Sequence, residues 1–465
     1  MMTYRVSVNG KPLPVYPARS SAVPFNRVWE GKQRDPAQSE IAYFVTFDMD
    51  APVTLTAEIQ GADIRQCELR PAEYEIPFSV SGNTVTVTLD RPRKFTLEVN
   101  GYREVLQIFA NEPDTFVPDE NTIYFGPGEH DAGMIFPKTG QTVYLAEGAV
   151  VYGGLYIYRA DHVRILGRGI LDSSRLPRGN QLTPEDALYG QLASLGITPR
   201  DIRYYSGFNA YGCRDLTVDG IILRDAPLWV MIVRNRCDGV LIRNVKIVGQ
   251  WRYNADGIDL CDSDNVTVDD CYVRSFDDCI VVRGPYLDGE ETGCRNYDVK
   301  NCVLWCDWGK NLEIWSGGKR SVISNIRFSD IHVIRGCNHA ASIDTWFGSD
   351  ATVVENVVYD GITVDVRGEQ LCPVMQNSDD QVYASTGTSP LDAVYVGVGK
   401  LGRDLGNQQC DFNVDPDDFD IRYRNVTWKN FRTVGKELRA RVFMKNLREC
   451  SGLVTENCEF SLVIT

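Results

Sequence analysis

Three carboxylates in one short stretch are the residues of this sequence best placed to do chemistry. They are Asp256, in Asn254-Ala255-Asp256-Gly257, and the pair Asp277-Asp278, in Phe276-Asp277-Asp278-Cys279. The separations are 21 and 22 residues. If the chain coils with that period, the acids come to rest about one strand spacing apart, ~4.8 Å. Carboxyls that close cannot all ionise freely, so one holds its proton to higher pH than an isolated aspartate. A protonated acid beside ionised carboxylates is what glycoside hydrolysis requires: one group protonates the leaving oxygen and another activates water or attacks directly. Adjacent residues of a regular strand face opposite ways. Asp277 and Asp278 can therefore share a cleft only if the strand is broken there, and a bulge or turn is predicted at that point.

The elements around the acids are all of β type. Residues 1–115 consist of short alternating runs separated by turns (YRVSVNG, VTLTAEIQ, TVTVTLD, KFTLEVNG), the signature of an antiparallel β-sandwich. From residue 116 to 465 the pattern becomes repetitive. CRDLTVDGIILRDAP, CDGVLIRNVKIVG and SDNVTVDDCYVRS each read as strand, Asn/Asp turn and strand. Repeats of roughly 20–35 residues without intervening helices predict a solenoid, namely a right-handed parallel β-helix. Two stretches break the rhythm, at 174–212 and 367–420. The first carries Thr183-Pro184-Glu185-Asp186, a helix start from which a helix is predicted to run to Gly196. Either insertion can wall the cleft or serve as decoration.

Bulk properties narrow the function classes. A net charge of −15 and a pI near 4.9 argue against nucleic acid or an anionic membrane surface as partner. No apolar run reaches 18 residues. The N-terminus lacks a signal-peptide core, so the expected location is the cytoplasm. The 14 cysteines include no CxxC pair, and with four histidines at no ligand spacing they are expected to be reduced core residues with no metal site. No cofactor is implied. The expected partner is an oligosaccharide or polysaccharide, and a homo-oligomer is among the states the sequence allows.

The motifs carry a family resemblance. NADGIDL followed by DDCIVVRG resembles the NTDGID and DDCIAIKSG-type motifs of the polygalacturonases, glycoside hydrolase family 28. The coil pattern is similar over roughly 120–465, the motifs over 250–350. The resemblance implies an inverting enzyme with Asp277 as general acid, Asp256 and Asp278 activating water, and Asn254 orienting them. A β-sandwich before a β-helix is also similar to glycoside hydrolase family 49, the dextranases. Two family-28 motifs are altered. Gly309-Lys310-Asn311 stands where GHG is expected, with Lys310 at the histidine position. Ser342-Ile343-Asp344 stands where RIK contacts a substrate carboxylate. An acid there repels a uronate, so the expected sugar at the cleavage point is neutral, held by Asp344 through its hydroxyls. Arg283 and Lys310 leave an anionic group conceivable at a neighbouring subsite. Trp251, Trp308 and Trp346 flank the motifs and are expected to stack on sugar faces. His339 can stand in for the missing histidine; His130 and His162 are assigned nothing. The competing classes are a β-helix polysaccharide lyase using Lys310 or Arg283 as base, and a non-catalytic carbohydrate-binding solenoid. A cytoplasmic enzyme meets imported oligosaccharides, which predicts exo-action.

Overall fold

The structure, a computed structural model, describes residues 1–21, 36, 39–203, 205–284, 293–317, 320–336, 338–345, 351–368, 375–376, 382–383, 392–398, 400–401, 410–411, 420–444 and 447–465. The described part is a right-handed parallel β-helix preceded by a β-sandwich. One sandwich sheet runs Lys11–Leu13, Thr3–Val8, Val53–Gln60, Thr84–Leu89, Phe78–Ser81, antiparallel throughout. The strict alternation of Val53, Leu55, Ala57 and Ile59 points one face into the core. The second sheet runs Tyr16–Ser21, Ser39–Asp48, Leu106–Asn111, Lys94–Val99, Cys67–Arg70. Its central pair, Ser39–Asp48 with Leu106–Asn111, is parallel. The sandwich is thus not wholly antiparallel. Between those two strands the chain passes through the opposite sheet, and that crossover returns it in the original direction.

The solenoid begins at Thr122–Phe125 and places three strands in each regular coil. The coil carrying Asp256 comprises Ile258–Cys261, Asp264–Asp269 and Tyr272–Ser275. The next comprises Ile280–Arg283, Gly293–Lys300 and Val303–Cys306. Every strand pairs in parallel with its counterpart one coil on. Inward positions such as Ile258, Leu260, Ile280, Val282, Leu312 and Ile314 form one continuous apolar column. The recurring asparagines explain themselves here. Asn265, Asn296, Asn325, Asn356 and Asn425 all have φ between 52° and 61°, which asparagine tolerates better than most residues. Their side chains also bond from coil to coil, from Asn296 to Asn265 at 3.0 Å and from Asn325 to Asn296 at 3.1 Å. Among the described residues the cysteines are free, and most are buried in the column.

Both irregular stretches depart from expectation. The helix spans Ala187–Ser194, not Pro184 onward, with Asp186 as N-cap. Thr183 donates its N–H (2.7 Å) and hydroxyl (3.0 Å) to the Asp186 carboxylate, which closes a turn around Pro184 and delays the first helical residue. A second short helix, Pro199–Arg203, follows. Leu176, Leu192, Ile197, Ile202 and Tyr205 pack these helices on Tyr156 and Tyr211 of the solenoid flank. Most of 367–420 lies outside the described residues, but Asp392–Val398 is a solenoid strand between His339–Thr345 and Leu438–Val442.

The sandwich is fixed to the solenoid. Phe44, Phe109 and Tyr102 pack on Tyr272, Trp305 and Ile334. Buried ion pairs join Arg335 to Glu98 at 2.5 Å and Arg70 to Asp365 at 2.6 Å. The Arg335 carbonyl in turn accepts from the Asn311 amide at 3.0 Å, one residue from Lys310. Among the described residues no helix is long and apolar enough to cross a membrane.

Candidate active site

The acid-bearing turns lie at the entry to three successive strands of one sheet: Ile258–Cys261, Ile280–Arg283 and Leu312–Trp315. The strand is interrupted over residues 276–279, between Tyr272–Ser275 and Ile280–Arg283, as the side-chain alternation requires. Backbone bonding continues through the break. Gly257 N–H donates to Asp278 O at 2.7 Å, and Cys279 N–H to Lys310 O at 2.8 Å. This ladder stacks Asp256, Asp277-Asp278 and Lys310 one above another. Two glycines permit the stacking. A Cβ on Gly257 would strike the Cys279 carbonyl, and one on Gly309 would lie 2.5 Å from Oδ1 of both Asp277 and Asp278. Gly309→Ala is therefore expected to fold yet lose at least ~100-fold in turnover, since catalytic groups must be held within fractions of an ångström. Circular dichroism and kcat on the same preparation check this together.

All three aspartates are buried. Asn254, at φ 55°, donates its amide to Asp277 Oδ2 at 3.3 Å. Asp278 Oδ1 accepts the Lys310 backbone N–H at 2.6 Å. Arg283 gathers the rest. Its Nη2 lies 3.0 Å from Asp256 and 3.8 Å from Asp278, and its Nε donates to Asp259 at 2.9 Å. Glu313 is 3.7 Å from the same Nη2. The guanidinium also sits over the rings of Trp229 (4.8 Å) and Trp315 (5.7 Å). Lys310 Nζ bonds Glu313 and lies 3.2 Å from Asp344.

Burial and mutual repulsion raise the acids together. Desolvation, followed by the Glu313 charge, lifts Asp277 to about 6. Asp256 is pushed up by burial and by Asp259 and Asp277, and Asp278 by burial and Glu313. Burial takes Asp259 and Asp344 to about 7. Glu313 is the exception: burial would raise it, but Lys310 and Arg283 outweigh that and hold it at about 2. Asp256 touches Arg283, and Asp278 accepts a backbone amide close to Arg283. Asp277 accepts the neutral Asn254 amide at Oδ2 and the Asp278 backbone N–H at Oδ1 (3.2 Å), and it has no ion pair within 4.0 Å among the described residues. Of the three, Asp256 and Asp278 lie within 4.0 Å of Arg283. Asp256 Oδ1 has no hydrogen-bond partner among the described residues and is open to accept a proton.

The other expected residues fall into place unevenly. Asp344 is buried and paired with Lys310, so it neutralises a cation rather than standing open to sugar hydroxyls. His339 is buried, stacked on Tyr395 (4.4 Å, 8°), 3.3 Å from Asp392 and lowered to about 4, chiefly by burial. It packs as a neutral ring. Trp251 is wedged between Arg19 of the sandwich and Arg252, with its indole N–H on Asp225 at 3.0 Å. Trp308 is half-buried, stacked on Phe276 (5.4 Å) and 6.1 Å from the Tyr253 ring, beside the acids. Trp346 lies outside the described residues. Asp259, Glu313 and Trp229 belong to the same cluster and are not singled out by motif. Their signal is register: Asp259 pairs with Val281 and Val281 with Glu313, an outward row across three coils.

The family model described as "Glycosyl hydrolases family 28" matches residues 206–386. A polygalacturonase of Juniperus ashei is 30% identical over 116 residues, 25% of this chain and 21% of that protein. Rhamnogalacturonase B of Aspergillus niger is 28% identical over 122 residues, 26% of this chain and 20% of that protein. The chain thus spans about a fifth of the length of these curated relatives. The solved structure of Dex49A from Penicillium minioluteum has the same fold, with a TM-score of 0.54, 15% identity and coverage of 92% of this chain and 88% of that one. The segment that holds Asp256, Asp277, Asp278, Arg283 and Lys310 resembles the glycosyl hydrolases of family 28, within a sandwich-plus-β-helix fold shared with Dex49A.

Proposed function

We propose that this protein is an inverting glycoside hydrolase acting on an oligo- or polysaccharide. The observation that carries the reading is the unequal partnering of three stacked aspartates. Asp277 holds a proton at Oδ and delivers it to the glycosidic oxygen as the bond to the anomeric carbon breaks. Asp256 and Asp278, beside Arg283 and the Lys310 amide, orient a water on the opposite face and take its proton. A carboxylate clamped by a guanidinium is a poor nucleophile but a good anchor for water, which favours inversion over a covalent intermediate. The sign of the pH dependence follows from Asp277. Raised to about 6, it is protonated below that value and loses its proton above it. The alkaline limb of kcat/KM is therefore expected to fall as pH rises through about 6, and a pH–rate profile measures it.

The sugar at the cleavage point is neutral in this reading. Arg283 and Lys310 are the cations of the cluster, and both are already matched by Asp256, Asp259, Asp278, Glu313 and Asp344. A uronate carboxylate would add charge to a floor with acids in excess. Likeness to a polygalacturonase and a rhamnogalacturonase favours a second reading, cleavage beside a uronate in a pectic chain. Exo-action is also proposed. The 174–212 insertion closes on the turn at 252–254, where Arg178 donates to the Tyr253 carbonyl at 2.6 Å and walls one end of the site. Paired oligosaccharides, identical but for a C6 carboxylate at the scissile residue, test the sugar. Faster release from the neutral member supports the reading, and faster release from the uronate replaces it with the second.

A further inference from the structure

The wall formed by the 174–212 insertion carries a charge that the proposed reaction does not use. Arg178 is 2% exposed, yet among the described residues it has no carboxylate partner, and its guanidinium bonds the neutral Tyr253 carbonyl. Its Nε is buried without any hydrogen bond. Arg252, a second guanidinium, is close enough to repel it, and burial with that repulsion brings Arg178 down to about 10. Arg252 is itself satisfied, by Asp225 at 3.1 Å and the Ser174 carbonyl at 3.1 Å. Among the described residues, every other fully buried arginine has an acidic neighbour: Arg70 has Glu98, Arg234 has Asp201, Arg274 has Asp307 and Arg335 has Glu98. A buried, unmatched guanidinium is costly and calls for an anion.

Its place says which anion. Tyr253 precedes Asn254, which holds Asp277, and the Tyr253 ring faces Trp308. Bound to the Tyr253 carbonyl, the guanidinium sits one residue from Asn254, whose amide meets Asp277. We infer that Arg178 is the anchor of a subsite, next to the cleavage point and against the insertion, for a sugar residue bearing an oxyanion. The planar fork of arginine fits a uronate carboxylate or a sulfate ester. The cleavage point, whose cations are matched, and this wall, whose cation is not, together select a chain with an acidic residue beside a neutral one. The word "sugar" rests on the proposed hydrolase function; the anion site does not.

Calorimetric titration of wild type, Arg178→Gln and Arg178→Lys with glucuronate, galacturonate, glucose 6-sulfate and glucose tests this. The expected result is at least tenfold tighter binding of an acidic ligand than of glucose, lost in Arg178→Gln and partly kept in Arg178→Lys. The acids and the sulfate ester distinguish the two sources of the oxyanion. Wild-type binding of the acidic ligand is also expected to weaken with added sodium chloride while that of glucose does not, a readout that stands if Arg178→Gln fails to fold. Equal affinity for glucose and the acids, no binding of either, or full retention in a folded Arg178→Gln overturns the inference and leaves Arg178 as a brace for the Tyr253 carbonyl. Arg178-dependent binding by a protein that cleaves nothing keeps the inference and removes the hydrolase reading instead.

Discussion

Asp277→Asn is expected to lower kcat by about 10²–10⁴ on a substrate with a poor leaving group, the range ascribed to a positioned general acid. On an aryl glycoside whose phenolate leaves without protonation, the loss is expected to be far smaller. Asn keeps the shape and the contact with Asn254 but cannot donate the proton, so the contrast between substrates isolates proton transfer from binding. The same substitution is expected to stabilise the protein. An aspartate whose folded pKa is raised, here to about 6 against an unfolded value near 3.9, disfavours the folded state once it ionises. That cost is absent below pH 4, grows as pH rises, and is complete above about 6, where it is on the order of 3 kcal/mol. Thermal melts of wild type and Asp277→Asn should coincide near pH 4 and separate at pH 7.5, with the variant melting higher. A variant that melts lower at both pH values would show that Asp277 is a structural ion-pair member and not a carboxyl held protonated.

Arg283→Gln is expected to act in the opposite direction and more severely. Its guanidinium lies within 4 Å of Asp256, Asp259, Asp278 and Glu313. Removing it leaves buried carboxylates facing one another, and breaking such a pair costs about 3–5 kcal/mol. The loss is expected to be larger at pH 8 than at pH 5, because protonation relieves the repulsion at the lower pH. Urea unfolding at the two pH values measures it. Turnover is expected to fall by at least ~100-fold even where the protein folds, because Asp256 and Asp278 then take up protons and cease to act as a base. A stable, active Arg283→Gln would mean that the carboxylates are solvated and the cluster is not a closed charge network.

Much of this site was legible from spacing. Asp256, Asp277 and Asp278 one coil apart imply stacking, and two adjacent acids on one side imply the strand break found over 276–279. The residues that escaped the motif reading did so for a common reason. Asp259 and Glu313 look like surface positions until the pairing Asp259–Val281–Glu313 is known, because outward positions carry no apolar period. Asp344 shows the converse. Its acidity was legible, but its partner Lys310 lies 34 positions away, and only the coil register brings them to 3.2 Å. Trp251 sits beside a motif in sequence, yet its ring faces Arg19 of the sandwich, a docking that no local pattern encodes. The parallel pair inside the sandwich was hidden likewise, since alternation gives the faces of a strand but not its neighbours.

Product stereochemistry is the most direct measurement of the central claim. Neutral and pectic oligosaccharides incubated with wild type, with Asp277→Asn alongside, can be followed by proton NMR from the first minutes. The expected signal is a new reducing end whose anomeric configuration is opposite to that of the cleaved bond, at or below pH 6, and absent with the variant. A retained anomer, an unsaturated product, or equal cleavage by Asp277→Asn would contradict the account.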